Sequence, residues 1–402
     1  MLDYRSHFPL LSRHYNDKTL VYFDNAATTP KPELVIEAVN KYYREHNANI
    51  HRGPNFLAEE ATNLFENSRK TVAQFINADS KEIIFTSGAT AAFNLLARVL
   101  GETNLQAGDV VAISQAEHHA NIIPWLQLKE RIGIELKYIK VNELGDFETS
   151  SLDNILNDKK LRILSLTQAS NVLGHLYDLK DILTRAKERG IITIVDAAQS
   201  IAHHELKVKD LGSDFVVFSG HKLFAPSGVG VLYGRFELLE KMPAFFGGGS
   251  MMSEVKEQSF QVVEAPYKFE AGTPNIEGVI GLGAACRYLQ SIGWQKINQQ
   301  ETELVQYFLK RLEQYPFLKL LGGKNNRLPL FAFVLEGAHP HDVADLLGEE
   351  AIITRAGHHC AQPLHESLGI SSSLRASLAF YNTNLEIDYF FEKLSAIKAR
   401  LS

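Results

Sequence analysis

Ile191-Ile-Thr-Ile-Val-Asp196-Ala-Ala-Gln199 is a largely apolar, β-branched run that stops on a carboxylate, and Asp214-Phe-Val-Val-Phe-Ser219-Gly-His221-Lys222 is a second apolar run that stops on a cation. Short runs that stay apolar without alternating suit strands buried on both faces, as in a parallel sheet. Working outward, Ile83–Phe85, Val110–Ser114, Leu136–Val141 and Ile163–Thr167 read as further strands, joined by the two runs above over Ile191–Val195 and Phe215–Phe218. Segments with helical periodicity lie between them. In Asp178–Arg189, Leu179, Ile182, Leu183 and Ala186 mark one face, with Asp178 as the expected N-cap and Gly190 as the stop. Strand and helix alternate from about residue 83 to 233, which predicts an α/β fold with a mostly parallel sheet covered on both sides. Sites in such folds gather outside the carboxyl ends of the strands.

After about residue 290 the pattern changes. Helical segments over Ile297–Leu312 and Leu385–Leu401 flank fewer strands, including Leu330–Leu335 and Leu374–Phe380. The expected organisation is a large domain over residues 21–290 and a smaller α+β domain from 291–402, with residues 1–20 packed on the latter. The 402 residues carry 41 Lys+Arg against 47 Asp+Glu, a formal charge of −6. Mild acidity without a basic run argues against a nucleic-acid partner. No apolar run reaches the roughly 20 residues that span a bilayer, and the opening MLDYRSHFPLL lacks the layout of a signal peptide. Two cysteines, Cys286 and Cys360, fit a reduced, cytoplasmic protein rather than a disulfide framework.

Several polar groups fall where strands end. Taken singly, Asp196 reads equally as a helix cap or turn residue and Lys222 as a surface charge. Yet Lys222 follows an apolar strand and precedes Leu-Phe-Ala-Pro, a poor setting for a solvated cation, and a desolvated lysine can condense with an aldehyde. Ile84-Phe-Thr-Ser-Gly88-Ala89-Thr90 reads as a strand, a glycine turn and a helix start whose N–H groups suit a phosphate. Ala116-Glu-His118-His119-Ala-Asn121 puts imidazoles at another strand end. Together these features describe a site for pyridoxal 5′-phosphate, with the carboxylate keeping a pyridine nitrogen protonated so that the ring accepts electrons.

From Tyr22-Phe-Asp-Asn-Ala-Ala-Thr to the C-terminus the chain resembles the class V aminotransferases of the fold type I pyridoxal-phosphate enzymes, and Ser219-Gly-His221-Lys222 is highly specific to them. The resemblance implies a seven-stranded large-domain sheet. Arg355-Ala-Gly-His358-His359-Cys360-Ala-Gln-Pro363-Leu, followed by Leu374-Arg375-Ala-Ser, is similar to the active-site segment of group II cysteine desulfurases, both the SUF type and the cysteine sulfinate desulfinase-like branch. Cys286, by contrast, sits in an apolar helical segment and reads as an inert core residue.

The resemblance implies a role for each matching position. Lys222 holds the cofactor aldehyde and moves the Cα proton, Asp196 pairs with the pyridine nitrogen, Gln199 bonds the ring oxygen, and His118 stacks on the ring. Ala89, Thr90, Ser219 and His221 surround the phosphate, while Thr273 of Glu270-Ala-Gly-Thr-Pro-Asn reaches the phosphate of a partner subunit, implying a homodimer. Asn171, Arg355 and Arg375 orient the amino acid, and Cys360 carries a persulfide. The implied reaction turns L-cysteine, with L-selenocysteine as a second expected substrate, into L-alanine and passes sulfur to an acceptor protein, with iron–sulfur cluster assembly as the expected use. Two departures stand out: the usual Gly-Thr-Thr-Glu reads Gly88-Ala89-Thr90-Ala91, and the usual Lys-Leu-Tyr-Gly-Pro-Thr-Gly reads Lys222-Leu-Phe-Ala-Pro-Ser-Gly.

Rival readings are a selenocysteine lyase, a cysteine sulfinate desulfinase, another class V lyase or transaminase, and a cofactor-free thiol sulfur carrier or redox sensor. Gly228-Val-Gly230-Val-Leu-Tyr-Gly234 has the wrong spacing for a dinucleotide fingerprint and reads as a strand. The pairs His118-His119, His203-His204 and His358-His359 lack metal-ligand spacing, so no metal is expected.

Overall fold

The computed structural model describes residues 4–51 and 53–401. A seven-stranded sheet comprises β1 (Ile83–Thr86), β2 (Val110–Ser114), β3 (Glu135–Ile139), β4 (Leu161–Thr167), β5 (Ile192–Asp196), β6 (Phe215–Ser219) and β7 (Gly230–Gly234), in the spatial order β1-β7-β6-β5-β4-β2-β3. Only β7 runs antiparallel to its neighbours. Residues along the strands inside the β3 edge alternate between two buried faces. Ile84, Val111, Ile163, Ile194 and Val217 face one core, and Phe85, Ala112, Leu164, Val195 and Phe218 the other. Helices cover both sides, which is why the inner strands are largely apolar, while the edge strand β3 carries Glu135 and Lys137.

A second, four-stranded sheet is built from β8 (Leu318–Leu320), β9 (Leu330–Leu335), β10 (Arg355–Gly357) and β11 (Ser373–Ser377), in the order β8-β9-β11-β10. The helices Trp294–Leu312 and Asn384–Leu401 lay Leu304, Phe308, Phe390, Phe391 and Leu394 on Phe331, Phe333 and Leu374, with Phe308 and Phe331 stacked at 3.8 Å. Val21 and Phe23 are buried in this same core, and Val21–Tyr22 pairs in parallel with Ile352–Ile353. The N-terminal segment bridges both sheets' surroundings. Arg5 binds Glu386 of the last helix, while Phe8 packs on Phe224 and Tyr381.

Several boundaries shift from the sequence expectation. The third strand ends at Ile139, and Val141 instead bridges to Phe147. The last strand stops at Ser377, because the next N–H, of Leu378, turns to the carbonyl of Pro329. Asp178 is not the N-cap. The helix runs Lys180–Glu188 with Leu179 in front of it, and Asp178 accepts a hydrogen bond from the Lys180 N–H at 3.2 Å as a turn residue. Among the described residues no helix is long and apolar enough to cross a membrane.

Candidate active site

Five chain segments leave the same edge of the large sheet and line one cavity of about 540 Å³, closed from the other side by residues of the small sheet. The edge is crowded. A Cβ on Gly230, the first residue of β7, would lie 2.5 Å from the Cα of Gly88, so the turn after β1 approaches the sheet only because Gly230 has no side chain. That approach brings the start of the helix Ala89–Asn104 over β6, where the Ala89 N–H donates to the Ser219 hydroxyl oxygen at 2.8 Å. The Ser219 hydroxyl hydrogen stays available, and Thr90 and His221 line the same corner.

Lys222 follows β6 directly and lies within the cavity wall. Burial pushes its amine down to about 8, against the opposing pull of Asp196. Asp196 is 4% exposed and accepts one hydrogen bond, from the Ala198 N–H at 2.8 Å. Burial pushes its carboxyl up, as for a carboxylate lacking a strong cationic partner. Gln199 donates to the carbonyl of Ala26 at 2.9 Å. His118, after β2, accepts the Ala120 N–H on Nδ1 at 3.1 Å, so its proton sits on Nε2. Burial, and then the nearby Lys222, push this imidazole down to about 3, leaving it neutral and suited to lie against an aromatic ring. A buried carboxylate, a lysine with a lowered pKa, a neutral imidazole and a helix start fit pyridoxal phosphate at its pyridine, aldehyde, face and phosphate respectively. The Ala89 departure removes a side-chain hydroxyl but keeps the backbone donor.

The small-domain face is cationic. Arg375 is 2% exposed, and burial pushes its guanidinium down to about 10. It donates to the Asn171 carbonyl at 3.0 Å and to Asp24 at 3.3 Å. Arg355 donates to Asp24 through Nε at 3.1 Å and Nη2 at 2.7 Å. One carboxylate thus braces two arginines of opposite exposure: Arg375 is sunk in the wall and Arg355 is part-open to the mouth. Sequence reasoning missed Asp24, which is more than 300 residues from both. Asn171 reaches the cavity, but its amide donates to the His359 carbonyl at 2.6 Å. Cys360 is exposed at the mouth beside Arg355 and His359. Cys286 is fully buried in the helix Ile276–Ile292, and burial pushes its thiol far up. Thr273 alone of the expected residues lies away from this cavity. It is exposed, between Gly272 and Pro274 of a smaller cavity lined also by His51 and Tyr267. Among the described residues no three His, Cys, Asp or Glu side chains converge to hold a metal.

The turn bearing His118 rests on Glu117. This fully buried carboxylate accepts from the Ser114 hydroxyl at 2.5 Å, the Thr167 N–H at 2.9 Å and the Asn121 amide at 2.7 Å, tying the ends of β2 and β4 together. Burial pushes Glu117 up to about 7. Because all three partners donate, Glu117→Gln would set an amide N–H against another donor. Unfolding by denaturant should show a loss of about 1–3 kcal/mol, and an unchanged midpoint would show that the acceptor character of Glu117 is dispensable.

The aminotransferase class-V family model matches residues 21–390. A probable cysteine desulfurase of Xylella fastidiosa (strain 9a5c) is 42% identical over 397 residues, 99% of this chain and 95% of the relative. A cysteine desulfurase of Escherichia coli O8 (strain IAI1) is 44% identical over 395 residues, 98% of this chain and 97% of the relative. Among solved structures, the apo cysteine desulfurase of Thermococcus onnurineus NA1 superposes with a TM-score of 0.94 at 37% identity, and the Escherichia coli cysteine desulfurase CsdA with 0.90 at 39%. Each covers 99% of this chain and 98% of its own. With a family model spanning most of the chain and relatives this similar along nearly all of it, the protein belongs to the aminotransferase class-V family.

Proposed function

We propose that the chain is a pyridoxal 5′-phosphate-dependent cysteine desulfurase of the group II kind, converting L-cysteine to L-alanine and holding the sulfur as a persulfide on Cys360. The observation that carries this reading is that Lys222, Asp196, Arg375 and Cys360, drawn from both sheets' surroundings, line one cavity. Bound there, the cofactor supplies an aldehyde for amines and a ring that stores the electrons left when a Cα proton departs. The chain's own groups do the rest. Lys222, at about 8, is able to exchange a proton with substrate Cα near neutral pH. Arg375 receives the substrate carboxylate in a guanidinium fork held by Asp24 and the Asn171 carbonyl. Cys360 attacks the substrate sulfur; the carbon–sulfur bond breaks, a sulfur–sulfur bond forms, and the carbon skeleton leaves as alanine.

The finer parts belong to the same reading. The mouth position of Cys360 suits delivery of sulfur to an acceptor protein, with iron–sulfur cluster assembly as the use. The exposed Thr273 suits a phosphate contact across a homodimer, and the division into residues 21–290 and 1–20 with 291–402 separates cofactor-holding from persulfide-carrying parts. A cytoplasmic setting suits a free thiol of this exposure. The test is to supply L-cysteine to the holoenzyme and quantify alanine and protein-bound persulfide in equal amounts in the first turnover; alanine without persulfide would favour a simple lyase.

Arg375→Ala tests the carboxylate fork. The visible spectrum of the holoenzyme should be unchanged, while kcat/KM for cysteine falls about 10²-fold or more. Lysine should rescue poorly, because it lacks the planar pair of donors. Wild-type kinetics in the alanine variant would reduce Arg375 to bracing Asp24 and Asn171.

A further inference from the structure

Cys360 stands in an unusual backbone. His359 and Cys360 have φ of +52° and +56°, the left-handed region that side chains with a Cβ disfavour, here in two consecutive residues. Such conformations persist where neighbours over-determine them. The Asn171 amide donates to the His359 carbonyl at 2.6 Å, and the His119 N–H donates to the Cys360 carbonyl at 2.7 Å. The ring of His119 returns to the same loop, its Nε2 accepting the Gln362 N–H at 3.2 Å. On the loop's other side, His365 Nδ1 donates to the Ala361 carbonyl at 3.0 Å, the Ser373 hydroxyl donates to His365 Nε2 at 3.1 Å, and His359 Nε2 donates to the Ser373 oxygen at 3.0 Å. This order of donors follows from the one carbonyl in the chain.

His119 therefore grips the loop on both sides of Ala361, through its main chain and through its ring. It also adjoins His118, which lines the cavity. Resting on the desulfurase reading, we propose that His119 is a positioning residue: it holds Cys360 in the left-handed turn and so sets the reach of the sulfur toward substrate bound beside His118. The grip needs a lone pair on Nε2, which glutamine supplies at a similar distance from the backbone, asparagine supplies too near, and leucine lacks.

The experiment compares His119→Gln, His119→Asn and His119→Leu as holoenzymes. In all three, the visible absorbance and its change on adding L-cysteine should match wild type within about twofold. Single-turnover persulfide formation on Cys360, read by mass spectrometry, should fall about 10-fold or more in the leucine and asparagine variants and stay within about threefold in the glutamine variant. The loss should appear in kcat with KM little changed. Equal rates in glutamine and asparagine variants, or a wild-type rate in the leucine variant, would overturn the proposal; if the leucine variant does not fold, the glutamine–asparagine contrast decides. Failure of wild type itself to form persulfide would instead overturn the desulfurase reading.

Discussion

Replacing Lys222 by alanine is expected to remove the covalent hold on the cofactor and to lower cysteine turnover by about 10³-fold or more. Among the described residues no second lysine lines the cavity. Lys222 is the lysine in the cavity wall, and Lys31, a half-buried lysine nearby, is committed to the carbonyls of Thr29 and His221 at 2.5 and 3.0 Å. The yellow band of the wild-type holoenzyme should be absent after dialysis of the variant, with thermal unfolding of the cofactor-free proteins little changed. A pH dependence follows from the same burial. With an amine near 8, about a quarter of Lys222 is unprotonated at pH 7.5, against about a thousandth for an ordinary lysine. Capture of added pyridoxal phosphate by the cofactor-free protein should therefore accelerate from pH 6.5 and level off above about 8.5. A rate still climbing steeply at pH 10 would mean that Lys222 is not desolvated, and a retained band in the alanine variant would place the aldehyde elsewhere.

The large sheet was legible because its signal is local. The inner strands are short, largely apolar runs, and the polar residue that ends a run sits next to it in sequence, as Asp196 and Ser219 do. The cavity was legible for the same reason, since carboxyl ends of parallel strands share one edge. What escaped is what depends on distant pairing. Asp24 is one buried acid among many until Arg355 and Arg375 fold onto it. Val21–Tyr22 is a two-residue strand, too short for periodicity, and its partner lies at Ile352–Ile353. The hairpin Met252–Lys256 with Ser259–Val262 leaves Val255 and Phe260 exposed, so no inward face marks it. Nor does composition announce a left-handed backbone at His359 and Cys360, because neither is glycine or asparagine. Asn171 was assigned to the substrate from its motif, and nothing local in the sequence shows that the fold turns its amide onto the His359 carbonyl.

Cys360→Ala separates the two halves of the proposed reaction. The variant should keep its visible absorbance, because the residues suited to the cofactor, Lys222, Asp196, His118 and Ser219, come from the large sheet's edge and Cys360 does not touch their hydrogen bonds. Adding L-cysteine should still change the spectrum, since Arg375 and Lys222 are intact. Alanine and persulfide should both fall below about a hundredth of wild type, as no other sulfur is in reach. Cys286 cannot stand in: it is fully buried in the helix Ile276–Ile292, its thiol held protonated by burial. Selenocysteine gives the contrast, because the weaker carbon–selenium bond allows alanine to form without a protein nucleophile, and the variant should process it at a rate within about tenfold of wild type. Quantifying alanine from each amino acid in parallel reads both outcomes. If the variant loses both substrates equally, Cys360 supports the site as a whole rather than accepting sulfur. If it desulfurates cysteine at the wild-type rate, the sulfur leaves without a protein acceptor and the mouth position of Cys360 has another use.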